Sequence, residues 1–198
     1  MKKLIAITQR VEYMERIGER RDALSQEWAV LADDCGFAPL VLPNRLPLVR
    51  DLLASLPVEG FLLTGGNDLA AYGGDAPERD EVERYLLQTA VDKRVPLLGV
   101  CRGMQLVLDC FGTPLRRVEG HVQVEHSLDN GGLVNSFHNW GAVECRTPLL
   151  PLAWSADGVL EAVEHRDYPW VRGIMWHPER YHPARPQDIE RIKEVFSL

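Results

Sequence analysis

Apolar residues in the first half of the chain fall into short compact runs, and the stretches between them repeat with a helical period. Residues 3–8, 38–42, 60–63 and 97–100 are the runs. Bounded by glycine, proline or charge, they read as buried strands. Residues 21–35 carry Ala23, Leu24, Trp28, Leu31 and Ala32 near a 3.6-residue spacing, which predicts a helix ended by Gly36. Further helices are predicted over residues 47–56, 81–91 and 104–111. Residues 67–78, rich in Gly, Asp and Ala, read as a surface loop. Strands alternating with helices in this way build a parallel sheet covered on both faces.

After Phe111 the pattern changes. Residues 122–126, 143–146, 152–155, 160–164 and 171–175 are strand-like runs with few helical signals between them. They predict antiparallel strands that extend the sheet or cap one end of it. A last helix is expected over residues 186–196, with Asp188, Glu190 and Lys193 on its exposed face. No repeat, low-complexity tract or linker interrupts the chain. The expected architecture is α/β: a central, mostly parallel sheet flanked by helices, with a C-terminal set of antiparallel strands, in a single domain spanning residues 1–198.

Composition narrows the function. A chain of 198 residues supports one sizeable core. Its net charge of −7 argues against a nucleic-acid partner, while leaving room for a local basic pocket. No apolar run approaches the roughly 20 residues needed to span a bilayer, so no membrane association is expected. The opening Met1-Lys2-Lys3-Leu4-Ile5 resembles the start of a signal peptide. Its apolar stretch is too short, and Gln9-Arg10 follow at once, so it is read as a strand. Cys35, Cys101, Cys110 and Cys145 are scattered and form no C-x-x-C pair, which predicts reduced thiols, a cytoplasmic protein and no structural zinc.

Candidate chemistry centres on Gly99-Val100-Cys101-Arg102-Gly103-Met104-Gln105. A strand turning sharply into a helix around G-x-C-x-G is a nucleophile elbow with cysteine in place of serine. The glycines leave room for a strained turn, and the helix N-terminus favours thiolate. A lone cysteine in such a turn is more often structural, but a structural role does not call for glycine on each side. Near the other end, Trp176-His177-Pro178-Glu179 closes an apolar run. Residues i and i+2 of an extended segment share a face, so Glu179 is placed to orient the His177 imidazole. Alone, His-Pro-Glu is an ordinary strand-end turn; with the elbow it suggests a triad of Cys101, His177 and Glu179. A metal cluster of His177, Glu179 and His182 lacks helical ligand spacing and is set aside.

Together these motifs resemble the class I glutamine amidotransferase-like superfamily, whose fold is flavodoxin-like. Within it, Leu63-Thr64-Gly65-Gly66-Asn67-Asp68, Arg79-Asp80-x-x-Glu83 and Val134-Asn135-Ser136-Phe137-His138 resemble the γ-glutamyl-γ-aminobutyrate hydrolase branch. The chain is shorter than the polyamine-pathway members of that branch. Its Ile7-Thr8-Gln9-Arg10 and Arg21-Asp22-Ala23-Leu24-x-x-Glu27-Trp28 are more similar to the γ-glutamyl-CDP-amidate hydrolases of capsule phosphoramidate biosynthesis. The resemblance implies hydrolysis of a γ-glutamyl amide through a thioester, without metal or organic cofactor. The expected substrate is γ-glutamyl-CDP-amidate, yielding glutamate and cytidine diphosphoramidate. A γ-glutamyl-γ-aminobutyrate-type substrate, or a glutaminase subunit feeding a separate synthase, stands as the alternative, and a homo-oligomer stays open.

Amide hydrolysis needs two donors for the developing oxyanion. The backbone amides of Arg102 and Gly66 are the expected pair. Gln105, one helical turn past Cys101, is placed to bind the glutamyl group, and the resemblance adds Ser136, Phe137 and His138 to that pocket. Asn67 and Asp68 follow the oxyanion turn, where they either touch substrate or cap the loop. Arg10, Arg20 and Arg21, clustered before the predicted first helix, form a candidate anion site for a nucleotide leaving group.

Overall fold

The computed structural model describes all 198 residues. Strand β1 (Leu4–Ile7) is followed by β2 (Arg10–Met14), β3 (Glu19–Ala23), helix α1 (Glu27–Cys35), β4 (Ala38–Val41), α2 (Leu46–Ser55) and β5 (Val58–Leu63). Helix α3 (Pro77–Lys93), β6 (Leu97–Val100) and α4 (Arg102–Cys110) come next. The remainder runs β7 (Arg116–Arg117), β8 (Val122–Ser127), β9 (Leu133–Phe137), β10 (Trp140–Gly141), β11 (Leu149–Trp154), β12 (Leu160–His165), β13 (Val171–Ile174) and α5 (Pro186–Phe196).

Seven strands form one sheet in the order β11-β12-β13-β6-β5-β1-β4. From β13 to β4 all neighbours are parallel, while β12 runs antiparallel to both of its own. Side chains alternate between the two faces. Ala6, Phe61, Leu63 and Leu97 pack with Met104 and Val107 of α4 and Val82 and Leu86 of α3. Ile5, Ile7, Leu62 and Leu98 pack on the other face with Trp28 and Leu31 of α1 and Ile192 and Phe196 of α5. The parallel strands end together: Leu63 pairs with Gly99, and Ile174 with Val100. The loops carrying the candidate chemistry therefore gather at the carboxyl ends of the parallel strands. Hairpin β8–β9 lies outside the main sheet.

Several expectations need correction. The helix over residues 21–35 starts only at Glu27; Arg21 to Ala23 belong to β3, paired with β2 in an exposed hairpin closed at Gly18. Ala23 and Leu24 fit the helical period by chance, and the Asp22 carboxylate is drawn off to the Asn44 amide groups at 2.8 and 2.9 Å. Helix α3 begins at Pro77, inside the stretch read as loop, which also holds a 3-10 turn over Ala70–Tyr72. Residues 143–146 form no strand; the Arg146 N–H donates to Thr113 Oγ1 at 3.0 Å and the chain runs on irregularly to β11. Asp188, expected outside, is buried under the Trp176 indole N–H at 3.0 Å and ion-paired to Arg185 and Arg191.

Candidate active site

Cys101 stands between β6 and α4 with φ 52° and ψ −105°, a strained conformation for a residue with a side chain. Its N–H donates to Ile174 O at 2.8 Å, which fixes the turn to β13. Packing leaves no room at the flanking glycines. A Cβ at Gly99 would come within 2.5 Å of the Gly103 backbone, and one at Gly103 within 2.3 Å of Leu63 O. The sulfur-bearing residue is 5% exposed and lines a cleft of about 330 Å³ with Gln105, Phe137 and His138.

His177 follows β13 in extended conformation, and a 3-10 turn over Pro178–Arg180 swings Glu179 back beneath it. Glu179 Oε1 lies 2.6 Å from His177 Nδ1, with both side chains buried. Asn135 of β9 holds the histidine backbone from both sides. Its Oδ1 accepts from His177 N at 2.8 Å and its Nδ2 donates to His177 O at 2.9 Å. The Phe137 ring stands edge-on to the imidazole, 5.6 Å between centroids. Gly65 separates the imidazole from the elbow: a Cβ there would fall 2.6 Å from His177 Cε1 and 3.5 Å from Cys101 Cβ. Burial lowers the His177 pKa, but the charge and hydrogen bond of the Cys101 sulfur, with Glu179 behind the ring, outweigh it and raise the value to about 10. The ring is therefore held as imidazolium at neutral pH, beside the sulfur it would serve.

Gly66 has φ +87°, and its N–H donates to no protein acceptor. The Arg102 N–H lies in the first turn of α4, where backbone donors have no intrahelical partner. A buried charge network fixes this region. Arg79 donates to Gly66 O at 2.5 Å, Thr64 O at 2.6 Å and Glu83 Oε1 at 2.9 Å. The Arg102 guanidinium pairs with Asp80 and Glu83, and the Thr8 hydroxyl donates to Glu83 at 2.8 Å. Burial pushes the Glu83 carboxyl up, but Arg102 and Arg79 reverse the effect and hold it below the ordinary carboxylate range. Burial also brings Arg79 down to about 10, still charged at neutral pH.

The remaining candidates divide. Gln105 donates to Trp140 O at 2.9 Å and lines the Cys101 cleft together with Asp68. Asn67 reaches the same cleft, but its amide is spent on the backbone of Val11, 2.9 Å to both N and O, tying hairpin β2–β3 to the turn. Phe137 and His138 face the cleft; Ser136 does not, being fully buried with its hydroxyl donating to His121 O at 2.8 Å. A second cleft of about 270 Å³ opens on the far side of Gly66, lined by Arg10, Trp28, Gly65, His177 and Arg180. Arg20 and Arg21 are not brought there. They form exposed pairs with Glu78 at 2.5 Å and Glu19 at 2.6 Å. His182 lies against Glu27 at 3.2 Å, apart from the His177–Glu179 pair. Sequence reasoning missed Arg180, and it gave Asn135 and Arg79 no role although both lie in motifs that carry the resemblance. Arg79 and Asn135 act mainly on backbone atoms distant in sequence, which leave no mark in a local pattern.

Comparison with known proteins shows the family. Residues 3–132 match the Peptidase C26 family and residues 71–196 the class-I glutamine amidotransferase family. The γ-glutamyl-CDP-amidate hydrolase of Campylobacter jejuni is 31% identical over 204 residues, covering 98% of each chain. The γ-glutamyl-γ-aminobutyrate hydrolase PuuD of Escherichia coli K12 is 27% identical over 206 residues, covering 82% of this chain and 80% of that one. Among solved structures, a GMP synthase-type protein of Thermoplasma acidophilum superposes with a TM-score of 0.73 at 16% identity, over 100% of this chain and 94% of the other. That likeness concerns the fold.

Proposed function

Because the chain belongs to the Peptidase C26 family within the class I glutamine amidotransferase-like proteins, we propose that it is a cysteine hydrolase of γ-glutamyl amides. The observation that carries the reading is the buried His177–Glu179 pair set against Cys101 on a strained turn, with two clefts meeting at Gly66. The Cys101 thiolate attacks the γ-carbonyl of the substrate. The backbone N–H groups of Arg102 and Gly66 receive the oxyanion. His177 protonates the departing nitrogen, leaving a γ-glutamyl thioester, and then takes a proton from the water that frees glutamate. Glu179 keeps the ring oriented and supports its charge.

The glutamyl half occupies the Cys101 cleft, where the Gln105 Oε1 is left to accept from the α-amino group. The leaving group enters the cleft lined by Arg10 and Arg180. Arg10, paired with Glu12 at 2.6 Å, and Arg180 bring two guanidinium groups that suit phosphate oxygens to a cleft that Glu27 and Glu179 also line. Together with the near full-length match to a γ-glutamyl-CDP-amidate hydrolase, they favour γ-glutamyl-CDP-amidate as substrate, with cytidine diphosphoramidate as product. A γ-glutamyl amine such as γ-glutamyl-γ-aminobutyrate is the second reading, favoured by the similarity to PuuD. The test is a product assay over a panel of γ-glutamyl amides that includes both compounds and free glutamine. The expected result is fastest turnover of the CDP-linked amide. Faster hydrolysis of the aminobutyrate conjugate would promote the second reading. Glutamine turnover that rises only with an added synthase would indicate an ammonia-supplying role.

A further inference from the structure

Glu161 of β12 is fully buried, and neither of its carboxylate oxygens has a hydrogen-bond partner. Three imidazoles surround it. His121 Nδ1 lies 3.6 Å and His138 Nε2 3.5 Å from Oε1, and His126 Nε2 lies 3.4 Å from Oε2. An N–H···O bond spans about 2.7–3.2 Å, so these contacts are too long to satisfy the carboxylate. A buried, unsatisfied carboxylate is costly, and its persistence asks for a missing partner.

The other ring nitrogens show what that partner is. His121 Nε2 is 2.9 Å from Asp157 Oδ2, and His138 Nδ1 is 3.1 Å from Trp140 O. Each of these rings therefore has an acceptor on the side away from Glu161, and His121 Nδ1 also lies 3.4 Å from Ser136 Oγ. His126 Nε2 and His138 Nε2 face Glu161 with no hydrogen-bond partner, a gap that a cation between these groups would fill. The carboxylate behind His121 and the carbonyl behind His138 follow the pattern that orients metal ligands. Zinc bonds of about 2.0–2.1 Å in a tetrahedron place neighbouring ligand atoms about 3.3–3.4 Å apart, close to the 3.6 and 3.4 Å that separate His121 and His126 from Glu161.

We propose that His121, His126 and Glu161, whose donor atoms lie within 4.8 Å of one another, bind a divalent transition-metal ion, zinc by donor type. The ion would clamp hairpin β8–β9 to β12 and hold His138 in place at the Cys101 cleft. His126, with 15% of its side chain exposed, marks the entry side. The site makes no use of the triad, so it stands or falls apart from the proposed reaction.

The test uses the full chain carrying Cys101→Ala and Cys110→Ser, which removes the active-site thiol and the exposed one as competing ligands. After chelator treatment, the protein is titrated with zinc, and bound metal and Tm are measured. The expected result is one tightly held zinc per chain and a Tm raised by about 5–10 °C at a hundredfold excess over Kd. His126→Ala should weaken binding by at least about a hundredfold, and Asp157→Ala, at an exposed position behind His121, by roughly 10–100-fold. Cobalt in place of zinc should give a visible d–d band without a thiolate charge-transfer band. Zinc binding of equal strength in the His126→Ala variant, or a Tm that zinc leaves unmoved, would overturn the proposal. Should His126→Ala fail to fold, Asp157→Ala decides by the same titration, and unchanged affinity there overturns it equally.

Discussion

At the scale of single residues, Cys101 and His177 carry separable predictions. Cys101→Ala should abolish glutamate release while leaving the circular dichroism spectrum unchanged. Retained turnover would end the thioester mechanism. His177→Asn should cost several orders of magnitude in kcat/KM and Glu179→Gln less, because the glutamate acts through the ring. The same pair sets the pH profile. His177 is raised above the ordinary histidine range, so it stays protonated through neutral pH and releases its proton only in strongly alkaline solution. Its contribution to stability is complete below the unfolded value of about 6.5 and is lost as pH rises through the folded value. Activity that needs the imidazolium to protonate the leaving nitrogen should share that alkaline limb. Glu179→Gln removes one of the charges that raise the ring, so the limb should move to lower pH; a limb that stays put would detach Glu179 from His177. Cys101, His177 and Glu179 stood out in the sequence because each lies in a short motif with unusual neighbours. Asn135 and Arg79 also lie in motifs that carry the resemblance, but their roles were not legible, since what they fix is largely the backbone of residues far along the chain.

At the scale of elements, the buried network between α3, α4 and the Gly65-Gly66 turn matters most. Arg79→Leu would leave Glu83 with one guanidinium fewer and release two carbonyls of the turn. Breaking a buried pair from one side costs about 3–5 kcal/mol, so the urea midpoint should fall steeply. In the wild type, Glu83 is held below the ordinary carboxylate range. Its contribution is present above the unfolded value of about 4.3 and disappears as pH falls through the folded one, so the midpoint should drop in acid. The hairpin β2–β3 shows why one helix was misplaced: Ala23 and Leu24 mimic a helical period, whereas the pairing of Arg10 with Ala23 that decides the matter is a tertiary fact. It also separates the arginines. Neutralising Arg10 or Arg180 should weaken a CDP-linked substrate roughly tenfold or more in kcat/KM, at about 1.5–3 kcal/mol per phosphate contact, and leave a small γ-glutamyl amine nearly untouched. Arg20→Ala, off the cleft, serves as the control that should move neither. Equal losses on both substrates would make Arg10 and Arg180 structural.

At the scale of the whole molecule, the alternation of short apolar runs and helical periods was enough to read a parallel sheet with helices on both faces, and the change of pattern after Phe111 to read its antiparallel extension. The order of the strands was not legible, because nothing local in Val171–Ile174 says that it lies beside β6 rather than at an edge. That order has a consequence for synthesis on the ribosome. β6 ends at residue 100, and the strand that covers its open side ends at residue 174. At roughly 5–20 residues per second, a fully apolar central strand waits about 4–15 s for its neighbour. During that interval it offers an unpaired edge to any other nascent chain. Slow codons placed between residues 101 and 170 should therefore raise the insoluble fraction of newly made protein, and the same codons placed after residue 180 should leave it unchanged.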